Sequence, residues 1–120
     1  MQIIEVLDNK SANDFLEVAR HVYVNDNEWV CPLDSDVNAV FNPKTNSFYK
    51  HGEAVRWILR NDQGQLIGRI AAFINEKKAN YEEKRIGGVG FFECIEDFEA
   101  AKLLFDTAIA WLKERKVTTV

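Results

Sequence analysis

The chain has 120 residues, of which 47% are hydrophobic and 28% charged, a composition typical of one compact globular domain. Its formal net charge of −4 excludes a generally basic surface of the kind that binds nucleic-acid phosphates. No segment approaches the roughly 18 apolar residues of a membrane span, and the N-terminus lacks the pattern of a signal peptide. We therefore expect a cytoplasmic protein whose partners include neither nucleic acid nor a membrane.

The first two elements are predicted to be a strand and a capped amphipathic helix. Residues 3–7 form the strand, and Ser11 with Asp14 has the spacing of a capping box at the start of the helix. The apolar stripe of this helix is predicted to be Phe15, Val18, Ala19 and Val22. His21 falls on the opposite face, so we expect an exposed side chain there rather than a catalytic one.

An irregular segment follows at residues 25–43, with a short helix over residues 35–40. The run Trp29-Val30-Cys31-Pro32-Leu33 is expected to pin this segment onto the domain through its aromatic side chain. Asp34-Ser35-Asp36-Val37-Asn38 has the spacing of the first calcium-loop ligands. However, Ala39 stands where that loop needs glycine, and Thr45 where it needs glutamate. We predict turn and cap roles for these acids and no metal.

Three strands are predicted next, at residues 55–59, 66–74 and 87–95. A turn at residues 61–64 joins the first two, and Gly64 is free to take a positive φ there. The middle strand is apolar on both alternations except at Arg69, so it needs cover on both faces. This pattern predicts an α/β (α+β) fold with a mixed, mainly antiparallel sheet covered by helices on both faces.

The last predicted elements are a long helix at residues 97–116 and a strand that begins at Val117. The core stripe of the helix is predicted to be Phe98, Ala101, Phe105, Ala108 and Leu112, widened by Leu104 and Trp111. Because the sequence stops at Val120, inside that strand, we interpret residues 1–120 as one domain and as the N-terminal part of a longer chain. The alternative is a short edge strand. The expected partners are the remainder of the longer chain or a second copy paired through the terminal strand.

Several apparent motifs in the sequence do not indicate a function. Gly87-Gly88-Val89-Gly90 opens a strand rather than a helix, so it is not a dinucleotide or phosphate loop. Cys31 and Cys94 lack metal-ligand spacing and are expected to be buried free thiols, which suits a reducing compartment. Glutamates interrupt a basic cluster that we interpret as a solvated hairpin tip; the cluster comprises Lys77, Lys78, Lys84 and Arg85.

Glu93 is the acid with the strongest claim to a chemical role. By simple alternation it shares a strand face with Val89, Phe91 and Ile95. A carboxylate on an apolar face is desolvated, which suits a general base. The structural alternative is an acid at the strand end that reaches solvent or pairs with Arg69, and both interpretations stay open at this point.

The order of elements resembles the GNAT (Gcn5-related) N-acetyltransferase fold without its last strands. The resemblance is carried by Leu66-Ile67-Gly68-Arg69-Ile70-Ala71-Ala72, by Val89-Gly90-Phe91-Phe92-Glu93, and by the long helix with Leu103, Leu104, Ala108 and Trp111. It extends to longer bacterial GNAT-like proteins of unassigned function, in which a W-V-P-P-L run corresponds to residues 29–33. The resemblance covers nearly the whole chain.

The resemblance implies acetyl-CoA as cofactor, bound along the strand segment of Phe92, Cys94 and Ile95, with Glu93 as the base that deprotonates an amine. The family places the cofactor pyrophosphate on a glycine-rich loop at the start of the following helix. In this chain that place reads Cys94-Ile95-Glu96-Asp97-Phe98-Glu99-Ala100-Ala101, without glycine or a basic residue. Three carboxylates there repel a pyrophosphate.

Three functional hypotheses follow from this conflict. The first is a non-catalytic GNAT-like domain with a degenerate or incomplete acyl-CoA site, which serves as a structural or partner-binding part of a longer protein. The second is an active acyl-CoA-dependent N-acyltransferase that transfers an acetyl group to an amine, with Glu93 as base. The third is a small interaction module that dimerises through its terminal strand. The sequence favours the first hypothesis, and we expect this chain alone to be inactive.

Overall fold

Four strands and three helices make up the part of the chain that the structure, a computed structural model, describes. The described residues are 1–24, 34–44, 46, 49, 52–79 and 82–117, with the side chains of 76–79 and 82–85 excepted. In chain order the elements are β1 (Gln2–Glu5), α1 (Asn9–Val22), α2 (Asp34–Val40), β2 (Gly52–Arg60), β3 (Leu66–Ala79), β4 (Glu82–Cys94) and α3 (Phe98–Glu114).

The strands form one sheet in the order β1-β2-β3-β4, and each described pairing is antiparallel. The predicted turn between β2 and β3 is present, with Gly64 at φ 79°. Its amide donates to the Asn61 carbonyl over 3.0 Å, while the Asn61 side chain accepts from the amides of Gln63 and Gln65. These bonds explain why a polar sequence closes the hairpin.

Helices cover both faces of the sheet, as the doubly apolar strand predicted. On one face α3 packs on a core that includes Trp57, Leu59, Ile70 and Ile74. On the other face α1 and α2 enclose a second core that includes Phe15, Val37, Ile58 and Ala71. Neighbouring residues of β3 therefore point into different cores, which is why that strand shows no polar alternation.

The first helix begins one turn earlier than predicted. Asp8, not Ser11, is its N-cap: the Asp8 carboxylate accepts the Ser11 amide over 2.7 Å, and the Asp8 amide donates to Ser11 Oγ over 3.3 Å. Ser11 is thus the third helical residue of a capping box that Asp8 opens. His21 is exposed on this helix, as predicted.

The long helix is rotated relative to the predicted stripe. Its buried positions are Ala100, Leu104, Ala108 and Leu112. Phe98 is 78% exposed and Phe105 is 37% exposed, so the expectation that these two residues belong to the core stripe is wrong. The physical reason is close packing: two alanines let the helix axis approach the sheet, and the Cβ position of Gly68 lies only 2.6 Å from the Leu104 methyl. The bulkier aromatics are turned outward.

Three predictions concern residues outside the described part. They are the pinned run at residues 29–33 with Cys31, the side chains of the basic hairpin tip, and the terminal strand beyond Val117. Val117 itself is buried against the α3 core. Among the described helices, none combines the length and apolarity needed to cross a membrane.

Replacing Leu104 with alanine should lower the free energy of unfolding by about 2–5 kcal/mol, because Leu104 is fully buried and its loss leaves a cavity. The matched control on the same helix, Phe98→Ala, should change it by less than about 0.5 kcal/mol. Urea unfolding followed by circular dichroism measures both. Equal costs for the two variants would contradict the helix rotation described here.

Candidate functional site at the β4 bulge

A β-bulge interrupts β4 where the sequence placed the candidate site. Arg69 pairs with Glu93 and Ala71 with Gly90, so two β4 residues, Phe91 and Phe92, face the single β3 residue between those pairs. Phe91 has a φ of 55°, which is uncommon for a residue with a side chain. Such a conformation costs about 1–3 kcal/mol and persists only where the surroundings hold it.

Arg69 supplies that constraint from within the core. It is only 5% exposed, and its Nε donates to the Phe91 carbonyl over 3.0 Å. Its Nη1 donates to the Phe15 carbonyl on α1 over 2.9 Å, and its guanidinium carbon lies 4.7 Å from the Phe15 ring centre. Since hydrogen bonds from a charged donor are strong, the buried Arg69 side chain links the strained Phe91 to α1, which packs on the same face of the sheet.

The bulge also changes which side chains share a face with Glu93. Val89 pairs with Ala72, which packs in the α3 core, whereas Glu93 pairs with Arg69 on the α1 side. Phe91 packs in the α1 core. The expectation that Glu93 and Val89 lie on one face is therefore wrong, because the extra residue at the bulge reverses the alternation between them.

Glu93 lies half-buried at the junction of β4 and α1. Its carboxylate accepts a hydrogen bond from the hydroxyl of Tyr23, which caps the C-terminus of α1. Arg69 is its cross-strand neighbour, and the hydrogen bonds described above take the Arg69 guanidinium toward the two main-chain carbonyls. Tyr23 thereby fixes the position of a carboxylate next to the strained strand segment.

The other candidate residues lie at the end of β4, an element with no further strand beside it among the described elements. Phe92 is 36% exposed and stacks against Phe105, with ring centres 4.5 Å apart. Ile95 is exposed, and its amide donates to the Ile67 carbonyl over 3.0 Å. Cys94 is a half-buried free thiol; burial, and secondarily the charge of Asp97, raise its pKa. It is thus a poor thiolate nucleophile.

The start of α3 is occupied by its own acid. Asp97 is the N-cap, and its carboxylate accepts the amides of Glu99 over 3.0 Å and Ala100 over 3.2 Å. Glu96 and Glu99 are exposed beside it. The sequence expectation that the acids satisfy this helix end is confirmed. In the described ranges, no group of three or more His, Cys, Asp or Glu side chains is placed to hold a metal ion.

The described chain has the fold of the GNAT acetyltransferases. A GNAT-family acetyltransferase from Brucella melitensis in complex with acetyl-CoA matches it with a TM-score of 0.62 and 15% identity, over 97% of this chain and 71% of that one. A tetramutant of the BH1408 protein from Bacillus halodurans matches with a TM-score of 0.69 and 13% identity, over 99% of this chain and 80% of that one. At such identities the likeness establishes the fold and no activity.

Two curated proteins resemble the chain in sequence along almost its whole length. Bacterial ceramide synthase of Caulobacter vibrioides is 28% identical over 116 residues, which are 96% of this chain and 30% of that protein. Protein YghO of Escherichia coli is 27% identical over 114 residues, which are 95% of this chain and 29% of that protein. The chain thus spans less than a third of the length of these relatives. No protein-family model matches it.

Sequence reasoning found Glu93 but missed Tyr23 and the two main-chain carbonyls that Arg69 binds. Arg69 stood out as the polar residue of an apolar strand, which is a usable signal for a buried cation with specific partners. Tyr23 gave no signal, because its hydroxyl meets Glu93 only once α1 has packed on the sheet.

Arg69→Met should destabilise the fold by about 3 kcal/mol or more, because two buried carbonyls lose a charged donor. In this variant, amide hydrogen exchange near Phe91 should accelerate by a larger factor than amide hydrogen exchange in β2. Arg20→Met, which removes an exposed cation paired with Glu17 and Asp34, should cost less than about 1 kcal/mol. Denaturant unfolding and hydrogen exchange measure these effects. An unchanged exchange rate at the bulge would refute the role given to Arg69.

Alkylation of Cys94 by iodoacetamide should follow an apparent pKa above that of cysteine in a short peptide, since burial and the Asp97 charge both disfavour the thiolate. At pH 8 the thiolate fraction, and hence the rate, is therefore lower than for the peptide. In a Cys31→Ser background, Asp97→Asn should lower this pKa and speed the reaction. Mass spectrometry across a pH series measures it; a rate equal to that of the peptide would contradict the burial.

Proposed function

We propose that this chain is the N-terminal, GNAT-fold part of an N-acyltransferase-type protein and that by itself it is non-catalytic. Residues 1–120 form one domain whose acyl-CoA site is degenerate or incomplete. Its partner is the remainder of a longer chain, with self-association through the terminal strand as the alternative. The domain then serves as a structural platform for that partner.

The state of the α3 N-terminus carries this proposal. In the GNAT family these amides receive the cofactor pyrophosphate, and here Asp97 accepts the bonds of two of them. With Glu96 and Glu99 adjacent, a pyrophosphate would approach three negative charges. Two unit charges about 4 Å apart repel by about 4 kcal/mol at the dielectric of a protein surface, before salt screening. Acetyl-CoA therefore binds weakly at this helix.

The lengths of the two matched relatives support the proposal that this chain is part of a longer protein. Both matched proteins are more than three times as long as the region that this chain resembles. One of them is named a bacterial ceramide synthase, and the GNAT resemblance of this chain implies the transfer of an acyl group to an amine. We therefore place the reaction in the complete protein.

A catalytic alternative is favoured by one observation, the Tyr23–Glu93 hydrogen bond beside the bulge. A carboxylate held by a hydroxyl at the strand where the family binds its thioester is suitably placed to take a proton from an amine. In this alternative Phe92, Cys94 and Ile95 line the acetyl-CoA arm, and Glu93 is the general base.

Isothermal titration of the chain with acetyl-CoA should show no saturable heat up to millimolar cofactor. The triple variant Glu96→Gln, Asp97→Asn, Glu99→Gln should bind more tightly, because it removes the charges that oppose the pyrophosphate and leaves an N-cap. The control Asp106→Asn, Glu114→Gln removes charge from the same helix beyond its first turn and should not bind.

Two outcomes would contradict the proposal. Micromolar binding of acetyl-CoA by the unmodified chain would show that the acids do not block the site. Turnover of acetyl-CoA with an amine that Glu93→Gln abolishes would establish the catalytic alternative instead.

A further inference from the structure

A second arginine, Arg56, borders a cavity near the β1 edge of the sheet, which is the edge opposite β4. The cavity has a volume of about 480 Å³ and opens where β1 ends and β2 continues, paired only with β3. Its lining combines apolar and charged side chains, including Phe41, Val55, Trp111, Arg56, Arg115 and Tyr49. Arg56 pairs across the sheet with Ala71 and so points to the α1 side, as Arg69 does.

The two arginines have similar surroundings but different hydrogen bonding. Both guanidinium groups lie over the Phe15 ring, and Arg56 also lies 4.3 Å from the centre of the Phe41 ring. Arg69 donates to two carbonyls. Arg56 Nη1, in contrast, is buried without a hydrogen-bond partner, and no carboxylate of the described chain lies within salt-bridge distance of Arg56.

An unpaired buried donor of this kind needs a physical explanation. The two aromatic rings offset part of the cost of burying the charge, but they leave the N–H groups of Nη1 without an acceptor. Burial lowers the pKa of Arg56, and the nearby Tyr49 opposes that effect. The rings also hold the guanidinium in one plane, which prepares it for a planar acceptor.

The charges around the cavity favour an anion with a single negative charge. Arg115, the second cation, already lies 3.4 Å from Glu53 Oε2. Glu5 and Glu53 both line the cavity. A doubly charged phosphate would therefore be repelled by these two glutamates, with Arg56 as the cation left to compensate its charge. A single carboxylate carries one negative charge, which Arg56 balances. Phe41, Val55 and Trp111 offer apolar surface to the rest of such a ligand.

We propose that this cavity is a binding site for a small monocarboxylate with an apolar body, whose carboxylate accepts the hydrogen bond that Arg56 Nη1 lacks. The site is separate from the β4 bulge and independent of acyl-CoA binding. A guanidinium and a carboxylate match in plane and spacing, so the pairing is bidentate.

Titration of the chain with benzoate, followed by NMR, tests this assignment. We expect saturable shifts in residues lining the cavity and in the Nε–H resonance of Arg56. Benzamide, a neutral molecule of the same shape, and phenyl phosphate, a dianion at pH 8, should each bind at least about tenfold more weakly, as loss of a charged hydrogen bond predicts.

Arg56→Met should abolish benzoate binding while leaving the melting temperature unchanged or higher, because it removes an unpaired buried donor. Arg60→Met, on the same strand and paired with Asp14, should bind benzoate as the unmodified chain does. Absence of saturable benzoate shifts, equal binding by Arg56→Met, or tighter binding of phenyl phosphate would each overturn the proposal. If Arg56→Met does not fold, the Nε–H shift in the unmodified chain decides.

Discussion

The structure depends on a buried cation that holds a strained strand. Arg69 bonds the carbonyl of Phe91 on β4 and the carbonyl of Phe15 on α1, so the sheet and the helix meet at one guanidinium. Because these bonds form in the low-dielectric core, they offset the cost of a positive φ at Phe91. The bulge that results sets the face on which Glu93 lies and exposes Phe92 at the sheet edge.

The two ends of the candidate site have different chemical characters. At the bulge, Tyr23 holds Glu93 beside a distorted strand, an arrangement that suits proton transfer. At the start of α3, Asp97 has taken the amide bonds that an anionic cofactor would need. The described chain thus combines a hydrogen-bonded carboxylate at the bulge with a concentration of negative charge at the start of α3. This contrast is why we place the reaction in the longer protein.

Arg56 and Arg69 both lie under α1, but they differ in a way that indicates where a ligand would bind. Both stack on Phe15, so aromatic contact alone does not distinguish them. Arg69 is satisfied by main-chain carbonyls and is structural, whereas Arg56 lacks an acceptor beside an open cavity. Buried donors without acceptors are rare in folded proteins, and Arg56 Nη1 is therefore the observation on which the proposed carboxylate site rests.

Local patterns in the sequence determined the order of the elements, the helix cover on both sheet faces, the Gly64 turn and the acidic start of α3. Each depends on residues close together in the chain. The rotation of α3 and the reversal of faces at β4 required the tertiary structure. The long helix is apolar around much of its circumference, and packing against the sheet, with a close approach of Leu104 to Gly68, turns Leu104 inward and Phe105 outward. The bulge is held by Arg69, which also binds the Phe15 carbonyl; these residues are distant in sequence, so no local pattern encodes the contact.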